Sequence, residues 1–387
     1  MDRRAFLKSS AALAAGGIEA SVGFAAAPPG ADYRRLLILV ELKGGNDGLN
    51  TLVPYSDTAY YALRPKIGIG RDQVVPLSDH AGLHPALAPL ADLWQERRLA
   101  VLQGVGYPDP NLSHFRSIEI WETASKSTEY LPDGWLTRAF AAQPPPRAFA
   151  ADGVIVGSNE LGPLAGGGTR AVALADTEQF LRRARLANAR PEARSKAVAH
   201  ILKVEANIAQ AAAQLATYPA FKTQFPSGNF GKVIRTACQV IANPASVAAV
   251  RVTLAGFDTH VNQPATHGRL LAELANGITA LKSALEELGK WNDTLVLTYA
   301  EFGRRPRENL SSGTDHGTAS VHFALGGRVA GGFYGAAPDL TRLTADGNPQ
   351  SVVDFRSVYA TILEHWWNVD SRAALGGRFA AVPFLTI

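Results

Sequence analysis

The chain has 387 residues, of which 47% are hydrophobic and 19% charged, a composition typical of a globular protein with a large core. The formal net charge is +4, and the 38 basic and 34 acidic residues are interspersed. No basic patch of the kind found in nucleic-acid-binding proteins results, so we expect no nucleic-acid partner. The length fits one large domain or two average ones.

The first 27 residues have the pattern of an export signal. A basic start that includes Arg3 and Arg4 precedes an Ala- and Gly-rich apolar run, which ends at the A-x-A cleavage site Ala25–Ala27. The run is too short for a membrane span and is interrupted by Glu19, so no transmembrane segment is expected in the mature chain. The alternative is a basic helix of the mature protein.

Residues 28–387 alternate apolar strands with segments of helical periodicity. The predicted strands are RRLLILVEL, LAVLQGVGYP, GVIVGS, RAVAL, VRVTLAG, DTLVLTYA and VHFALGG, and the predicted helices are GLHPALAPLADLWQERR, the segment after Ser113, and residues 178–215, 230–242, 265–289 and 355–367. This alternation predicts a single α/β domain with a mostly parallel central sheet and helices on both faces. Short strands and Ala-rich helices at about 140–245 predict an inserted cap region.

Polar side chains that suit catalysis or metal binding follow several of the predicted strands. They are Asn46, Asp47, Ser113, His114, Asp258, His260, Glu301, Asp315 and His316. Because ligands bind at the carboxyl ends of strands in open α/β sheets, we expect these side chains to meet at one edge. Carboxylates mixed with imidazoles suit a divalent cation such as Zn, Mn, Ca or Mg.

Each of these residues also has an ordinary structural interpretation. Asp47 between glycines is typical of a turn, and Ser113 is a good helix cap without any chemistry. Asp258 with His260 is a stronger signal, because both can face one ion from the end of a strand. Asp315 and His316 lie between Gly313 and Gly317, which permit a close backbone approach.

Three further features have competing interpretations. Arg304 and its neighbouring arginines could hold an anionic substrate or be solvated in a loop. His322 opens an apolar strand and is predicted to be a buried or edge histidine. Cys238 is the only cysteine, so no intrachain disulfide is expected, and its apolar surroundings predict a small buried side chain.

Several motifs together resemble one family of exported bacterial proteins. They are ELKGGNDGLNTLVPYSD, GLHPALAPL, PNLSHFRSIEIWET, GFDTHVNQ and EFGRRPRENLSSGTDHGTAS. With the Arg3–Lys8 stretch, which resembles a twin-arginine signal, they are similar to the DUF1501 family. This resemblance implies export by the twin-arginine machinery to the periplasm or the exterior.

The same motifs resemble, more distantly, the alkaline phosphatase and sulfatase superfamily. That resemblance implies an alkaline-phosphatase-like fold in which Asp47, Asp258, His260 and His316 hold one or two divalent ions, and we expect Glu301 and Asp315 to contribute to the same site. Ser113, or a water on the metal, would be the nucleophile, and His114 would be a general acid or base. Asn46 and Arg304 would contact the substrate. Glu301-Phe302 departs from the superfamily, which commonly has Asp-His here.

The implied activity is hydrolysis of a phosphate or sulfate ester, with an anionic small molecule or a polysaccharide ester as substrate. The competing hypothesis is a non-catalytic periplasmic or extracellular binding or assembly protein that retains the metal-site scaffold, for example for a surface polysaccharide. A redox enzyme is less consistent with an oxygen-rich ligand set that has few histidines.

Overall fold

A nine-stranded sheet lies at the centre of the part of the chain that the structure describes. This computed structural model describes residues 30–174, 220–243 and 246–387, and the elements named below belong to the unit Ala31–Ile387. The predicted export signal and the predicted helix at 178–215 lie outside the described residues.

The strands are β1 Leu36–Lys43, β2 Leu52–Val53, β3 Val75–Pro76, β4 Gly82–Leu83, β5 Leu99–Gly106, β6 Ala151–Val156, β7 Ala171–Leu174, β8 Val247–Ala255, β9 Thr294–Tyr299, β10 Arg304–Glu308, β11 Thr314–His316, β12 Ser320–Leu325, β13 Gly332–Gly335 and β14 Val353–Asp354. The α-helices are α1 Gly48–Thr51, α2 Thr58–Leu63, α3 Ala91–Gln95, α4 His114–Thr123, α5 Trp135–Ala142, α6 Asn229–Ile241, α7 Gln263–Glu287, α8 Phe355–Ala360 and α9 Ser371–Leu375. Short 3₁₀ helices occupy Pro85–Leu90, Gly162–Leu164 and Trp291–Asp293, and a π-helical turn at Thr361–Trp366 continues α8.

The central sheet has the order β13-β5-β12-β9-β1-β8-β6-β7, and β14 also pairs with β5. All pairs are parallel except those of β12, which runs antiparallel to both β5 and β9. The prediction of a mostly parallel sheet is therefore confirmed.

Helices cover both faces of this sheet. Along β1, Ile38 and Val40 pack with α6 and α7 on one face, and Leu37 and Leu39 pack with α4, α5 and α8 on the other. Side chains of a strand alternate between the two faces, so the continuous apolar run of β1 is explained by burial on both sides. Cys238 of α6 lies in the first of these cores and is fully buried, as predicted.

Three local expectations need correction. β6 and β7, expected within a cap, are strands of the main sheet, because their apolar residues continue the buried face beside β8. The first part of the predicted helix after Gly82 is a 3₁₀ helix at Pro85–Leu90, because Pro85 and Pro89 lack the amide hydrogen that an α-helix uses. The loop expected after β9 is an antiparallel hairpin of β10 and β11.

The sheet topology explains why the polar residues gather. β9, β1 and β8 are parallel neighbours, so the loops after them leave the same edge. β12 runs the other way and therefore begins at that edge, directly after the β10–β11 hairpin. α4 follows the carboxyl end of β5 there as well. Among the described residues, no helix has the length and apolar character needed to cross a membrane.

Two glycines of α7 give a test of the helix packing. A Cβ at Gly277 would lie 2.5 Å from the buried Phe230 ring of α6, whereas one at Gly268 would meet only His84, at 3.4 Å. We expect Gly277→Ala to lower the free energy of unfolding by about 1–3 kcal/mol, because overpacking outweighs the gain in helix propensity. Gly268→Ala should be neutral or stabilising in the same urea titrations. Equal effects of both variants would contradict this packing.

Candidate metal centre

Three histidines surround one oxygen of Asp258 at the edge where the loops meet. Asp258 Oδ1 lies 3.0 Å from His260 Nε2, 3.3 Å from His316 Nε2 and 3.4 Å from His114 Nε2. The Nε2 atoms of His260 and His316 are 2.9 Å apart. We call these four residues the histidine–aspartate cluster; its residues come from α4, the loop after β8, and β11.

Close backbone contacts bring these loops together. Gly44, just after β1, has φ +117°, and a Cβ there would lie 2.4 Å from the backbone nitrogen of Asp258. Its amide donates to Glu301 Oε1 at 2.9 Å, which links the loop after β1 to the loop after β9. Glycine at this position therefore permits a contact that a larger residue would block.

Hydrogen bonds behind two of the imidazoles fix which nitrogen faces Asp258. His316 Nδ1 donates to the backbone oxygen of Leu112 at 2.8 Å, and His114 Nδ1 donates to Glu301 Oε1 at 2.9 Å. The Nε2 lone pair of each neutral ring is then directed to the cluster. A carbonyl or carboxylate behind a histidine is the usual support of a metal-ligating imidazole.

The protonation equilibria follow from these contacts. The hydrogen bond to Glu301 raises the pKa of His114 despite partial burial. Burial lowers the pKa of His316, which favours its neutral, ligating form. Burial raises the pKa of Asp258, but Arg304 and the neighbouring histidines outweigh this effect, so the pKa lies below its usual value and the carboxylate is ionised.

Arg304 holds the cluster together instead of facing a substrate. Its guanidinium is completely buried and donates to Asp258 Oδ1 at 2.8 Å, and its other donors reach the backbone oxygens of Gly44, Gly45, Phe257 and Thr314. The structure does not support the expectation that Arg304 binds substrate, because its buried guanidinium is already bonded to Asp258 and to four backbone oxygens. Arg304 points inward because the side chains of a strand such as β10 alternate between its two faces.

The cluster fits a divalent ion by donor type and by spacing. Bonds of about 2.0–2.1 Å to one tetrahedral ion place two ligand atoms about 3.3–3.4 Å apart. Four of the separations, 2.9–3.4 Å, are close to this value, and the ligand atoms of His114, Asp258 and His316 all lie within 4.8 Å of one another. Imidazole nitrogens with one carboxylate oxygen suit zinc or manganese better than calcium, which prefers oxygen ligands alone.

Glu301 and Asp315 lie behind the histidines. Glu301 is buried beside His114, and its Oε2 has no hydrogen-bond partner. Asp315 is exposed, with Oδ1 3.7 Å from His260 Nδ1, on the side of that ring opposite to Nε2. Glu301 therefore supports the His114 imidazole, whereas Asp315 is too far from His260 for a hydrogen bond, and the proposed ligand set contains neither carboxylate.

Asp47 and Asn46 are buried away from the cluster. Asp47 caps α1 through the Leu49 amide and pairs with Arg64, at 2.6 Å from Nη1 to Oδ2 and 2.9 Å from Nη2 to Oδ1. The ligand role expected of Asp47 is not supported, because both oxygens are already paired with a guanidinium. Asn46 is fully buried and contacts His267 and Thr51, which leaves no surface for a substrate.

Gln263 is a residue that sequence reasoning missed. Its side chain donates to Asp47 Oδ2 and accepts from Thr259 at 3.0 Å and Thr314 at 2.6 Å. Thr259 lies between Asp258 and His260, and Thr314 is two residues before His316. Gln263 therefore connects both ligand-bearing segments to the loop after β1. The sequence feature that could have identified Gln263 as a site residue is its position at the end of the GFDTHVNQ motif.

Ser113 and His322 are placed as the sequence predicted. Ser113 is exposed at the N-cap of α4, directly before His114, and its hydroxyl makes no capping hydrogen bond. His322 is buried against Trp121 at a ring distance of 5.2 Å, and burial lowers its pKa to about 3. His322 is thus a core residue outside the cluster.

The fold and the cluster define an α/β protein with a candidate metal centre at the carboxyl edge of its sheet. Residues 93–375 match the model of the family described as "Protein of unknown function (DUF1501)". The chain belongs to this family. No curated protein matches the sequence.

Solved structures with a similar fold have very different sequences. A Vibrio parahaemolyticus protein in the alkaline phosphatase superfamily is 9% identical, with TM-score 0.44, over 89% of this chain and 69% of that one. The Silicibacter pomeroyi phosphonate monoester hydrolase is 11% identical, with TM-score 0.41, over 91% and 77%. The Listeria monocytogenes lipoteichoic acid synthase LtaP is 9% identical, with TM-score 0.37, over 90% and 75%. All three TM-scores are below 0.5, so these similarities assign no reaction to this chain.

Proposed function

We propose that the histidine–aspartate cluster binds one divalent metal ion and that the protein is a metal-dependent hydrolase of phosphate or sulfate esters. The observation that carries this proposal is the convergence of three imidazole nitrogens on Asp258 Oδ1, with separations of 3.0, 3.3 and 3.4 Å. When bound there, an ion would polarise an ester oxygen and lower the pKa of a hydroxyl.

An anionic group is favoured beside the cluster. α4 begins at His114, and the first amide groups of a helix have no partner within the helix. These amides and the helix dipole attract a phosphate or sulfate group. Since His114 is both the first residue of α4 and a member of the cluster, the anion and the ion would share one location.

Ser113 is the proposed nucleophile, and water is the alternative. The Ser113 hydroxyl is exposed, free of a capping bond, and adjacent in the chain to His114. Glu301 and Leu112 hold the neighbouring imidazoles in place, and Arg304 holds Asp258. His114 is engaged on both ring nitrogens, so we propose it as a ligand instead of a general acid or base.

One observation favours the non-catalytic binding or assembly role as a second candidate. Four protein donors can complete a tetrahedral ion, and such closed sites are commonly structural, whereas catalytic sites keep an open position. Against this, the Asp258 side chain is 48% exposed, so solvent reaches the carboxylate. Hydrolysis of an ester by the metal-loaded protein therefore decides between the two candidate functions.

The test is hydrolysis of 4-nitrophenyl phosphate and 4-nitrophenyl sulfate by the metal-loaded mature protein. We expect turnover of at least one ester, and we expect Ser113→Ala to lower kcat at least about a hundredfold with unchanged metal content, as removal of a covalent nucleophile does. Ser283→Ala, at an exposed position of α7, is the matched control. Retained activity in Ser113→Ala would assign the attack to water, and a metal-loaded protein without any turnover would favour the second candidate.

We also propose that residues 1–27 are a twin-arginine signal and that residues 28–387 are exported as one domain. The basic start, the short apolar run and the cleavage site support this proposal. Retention of an Arg3→Lys/Arg4→Lys variant in the cytoplasm, with export of the unaltered chain, is the expected result. Equal export of both would refute it.

A further inference from the structure

We propose that the ester taken by this site carries an apolar alkyl or aryl group next to its anionic part; this inference rests on the proposed function. The feature behind it is a set of exposed apolar side chains around the histidine–aspartate cluster. We call Phe115, Val261 and Leu310 the apolar rim.

The rim residues are far more exposed than apolar side chains usually are. Phe115 is 88% exposed, Val261 65% and Leu310 98%. Only three other large apolar residues of the described chain are similarly exposed, namely Tyr130, Val352 and Ile387. A single exposed apolar residue needs no explanation, but a group at one place commonly marks a binding surface.

All three rim residues belong to chain segments that also carry a residue of the cluster. Phe115 follows His114 in the first turn of α4, and Val261 follows His260 directly. Leu310 lies in the turn between β10 and β11, the hairpin that ends at His316.

Hydrogen bonds join the turn of Leu310 to the loop of Val261. Asn309 Nδ2 donates to the His260 backbone oxygen at 2.9 Å. The amides of Asn262 and Gln263 donate to the backbone oxygens of Ser311 and Ser312 at 3.0 and 2.8 Å. Val261 and Leu310 therefore lie on hydrogen-bonded segments next to His260, and Phe115 lies next to His114 on α4.

The charges around the cluster agree with this choice of substrate. Arg304, the guanidinium in contact with the cluster, is occupied by Asp258 and four backbone oxygens. The ion and the α4 amides would hold one anionic group, the exposed Asp315 would repel a second one, and the apolar rim would contact the rest of the molecule. An ester with a short apolar substituent matches this arrangement better than a highly charged polymer does.

Binding of alkylphosphonates tests the inference without requiring turnover. In calorimetric titrations of the metal-loaded mature protein, we expect octylphosphonate to bind at least about tenfold more tightly than methylphosphonate, because full burial of two methylene groups suffices for that factor. The triple variant Phe115→Ser/Val261→Ser/Leu310→Ser should lose this preference and keep its affinity for methylphosphonate. Ile387→Ser, beyond the opposite end of β12, is the control and should behave as the unaltered protein does.

The outcomes separate the two proposals. Binding of both phosphonates with equal affinity, or an unchanged octyl preference in the triple variant, would overturn the apolar-substituent inference alone. Failure of the metal-loaded protein to bind either phosphonate would refute the anion site, and with it the proposed function. A change of oligomeric state in the triple variant without a change in octylphosphonate affinity would assign the rim to self-association and overturn the inference.

Discussion

Replacement of Asp258 or His316 by alanine is expected to lower the affinity for the divalent ion by at least about a hundredfold. Mutation of a residue that only supports a ligand commonly costs 10–100-fold, and loss of a ligand atom itself should cost more. Asp258 has the larger expected effect, because its Oδ1 lies within 3.4 Å of all three imidazoles. Competition with a chelator of known affinity measures the change.

His80→Ala is the matched control for these variants. His80 is exposed in the connection between β3 and β4, and its ring contacts Ser56 at 3.3 Å. We expect its replacement to leave the metal affinity unchanged. Equal losses in His80→Ala and His316→Ala would show that the ion binds to histidines in general and not at the cluster.

Replacement of Arg64 by methionine is expected to lower the free energy of unfolding by about 3–5 kcal/mol, because it leaves the Asp47 carboxylate buried without its charge partner. Both side chains of this pair are completely buried. Urea denaturation measures the change, and Arg34→Met is the control, since the Arg34 side chain is 88% exposed in its pair with Asp32. A similar, small effect of both variants would contradict the predicted importance of the buried pair.

The same pair predicts how stability changes with pH. Burial raises the pKa of Asp47, but Arg64 outweighs it and leaves the pKa below the usual value of 3.8. A carboxyl group whose pKa is lower in the folded state contributes stability above its unfolded pKa and loses it as the pH falls toward the folded pKa. The unaltered protein should therefore lose this contribution below about pH 4. In Asp47→Asn that acid-dependent loss should be smaller.

The sequence predicted the mostly parallel fold, and it placed three of the four residues of the histidine–aspartate cluster among the candidate metal ligands. Asp258, His260 and His316 were predicted to be metal ligands, because they occupy Gly-rich segments at strand ends, and the parallel neighbours β9, β1 and β8 bring these ends to one edge. β6 and β7 were predicted to belong to an inserted cap. A short strand has the same apolar sequence pattern whether it extends the main sheet or lies in an insertion, so the sequence does not distinguish the two.

The errors at the site concern which way side chains point. Asp47 was expected at the ion, but Arg64, seventeen residues later, occupies its oxygens, and no sequence periodicity reveals that pair. Arg304 was expected to face a substrate, yet β10 directs it inward to carbonyl groups of two loops and of β11. His114 was predicted to be a general acid or base and not a ligand, because its position beside Asp258 depends on the packing of α4 against the sheet, which the sequence does not show.

The most direct test of the metal centre is an anomalous diffraction map of the mature protein, recorded at the absorption edge of the metal found in it. We predict one peak within bonding distance of Asp258 Oδ1 and of the Nε2 atoms of His114, His260 and His316. Metal-free crystals of protein that was folded and exported by its own route, or a peak elsewhere in the molecule, would contradict the proposed metal centre.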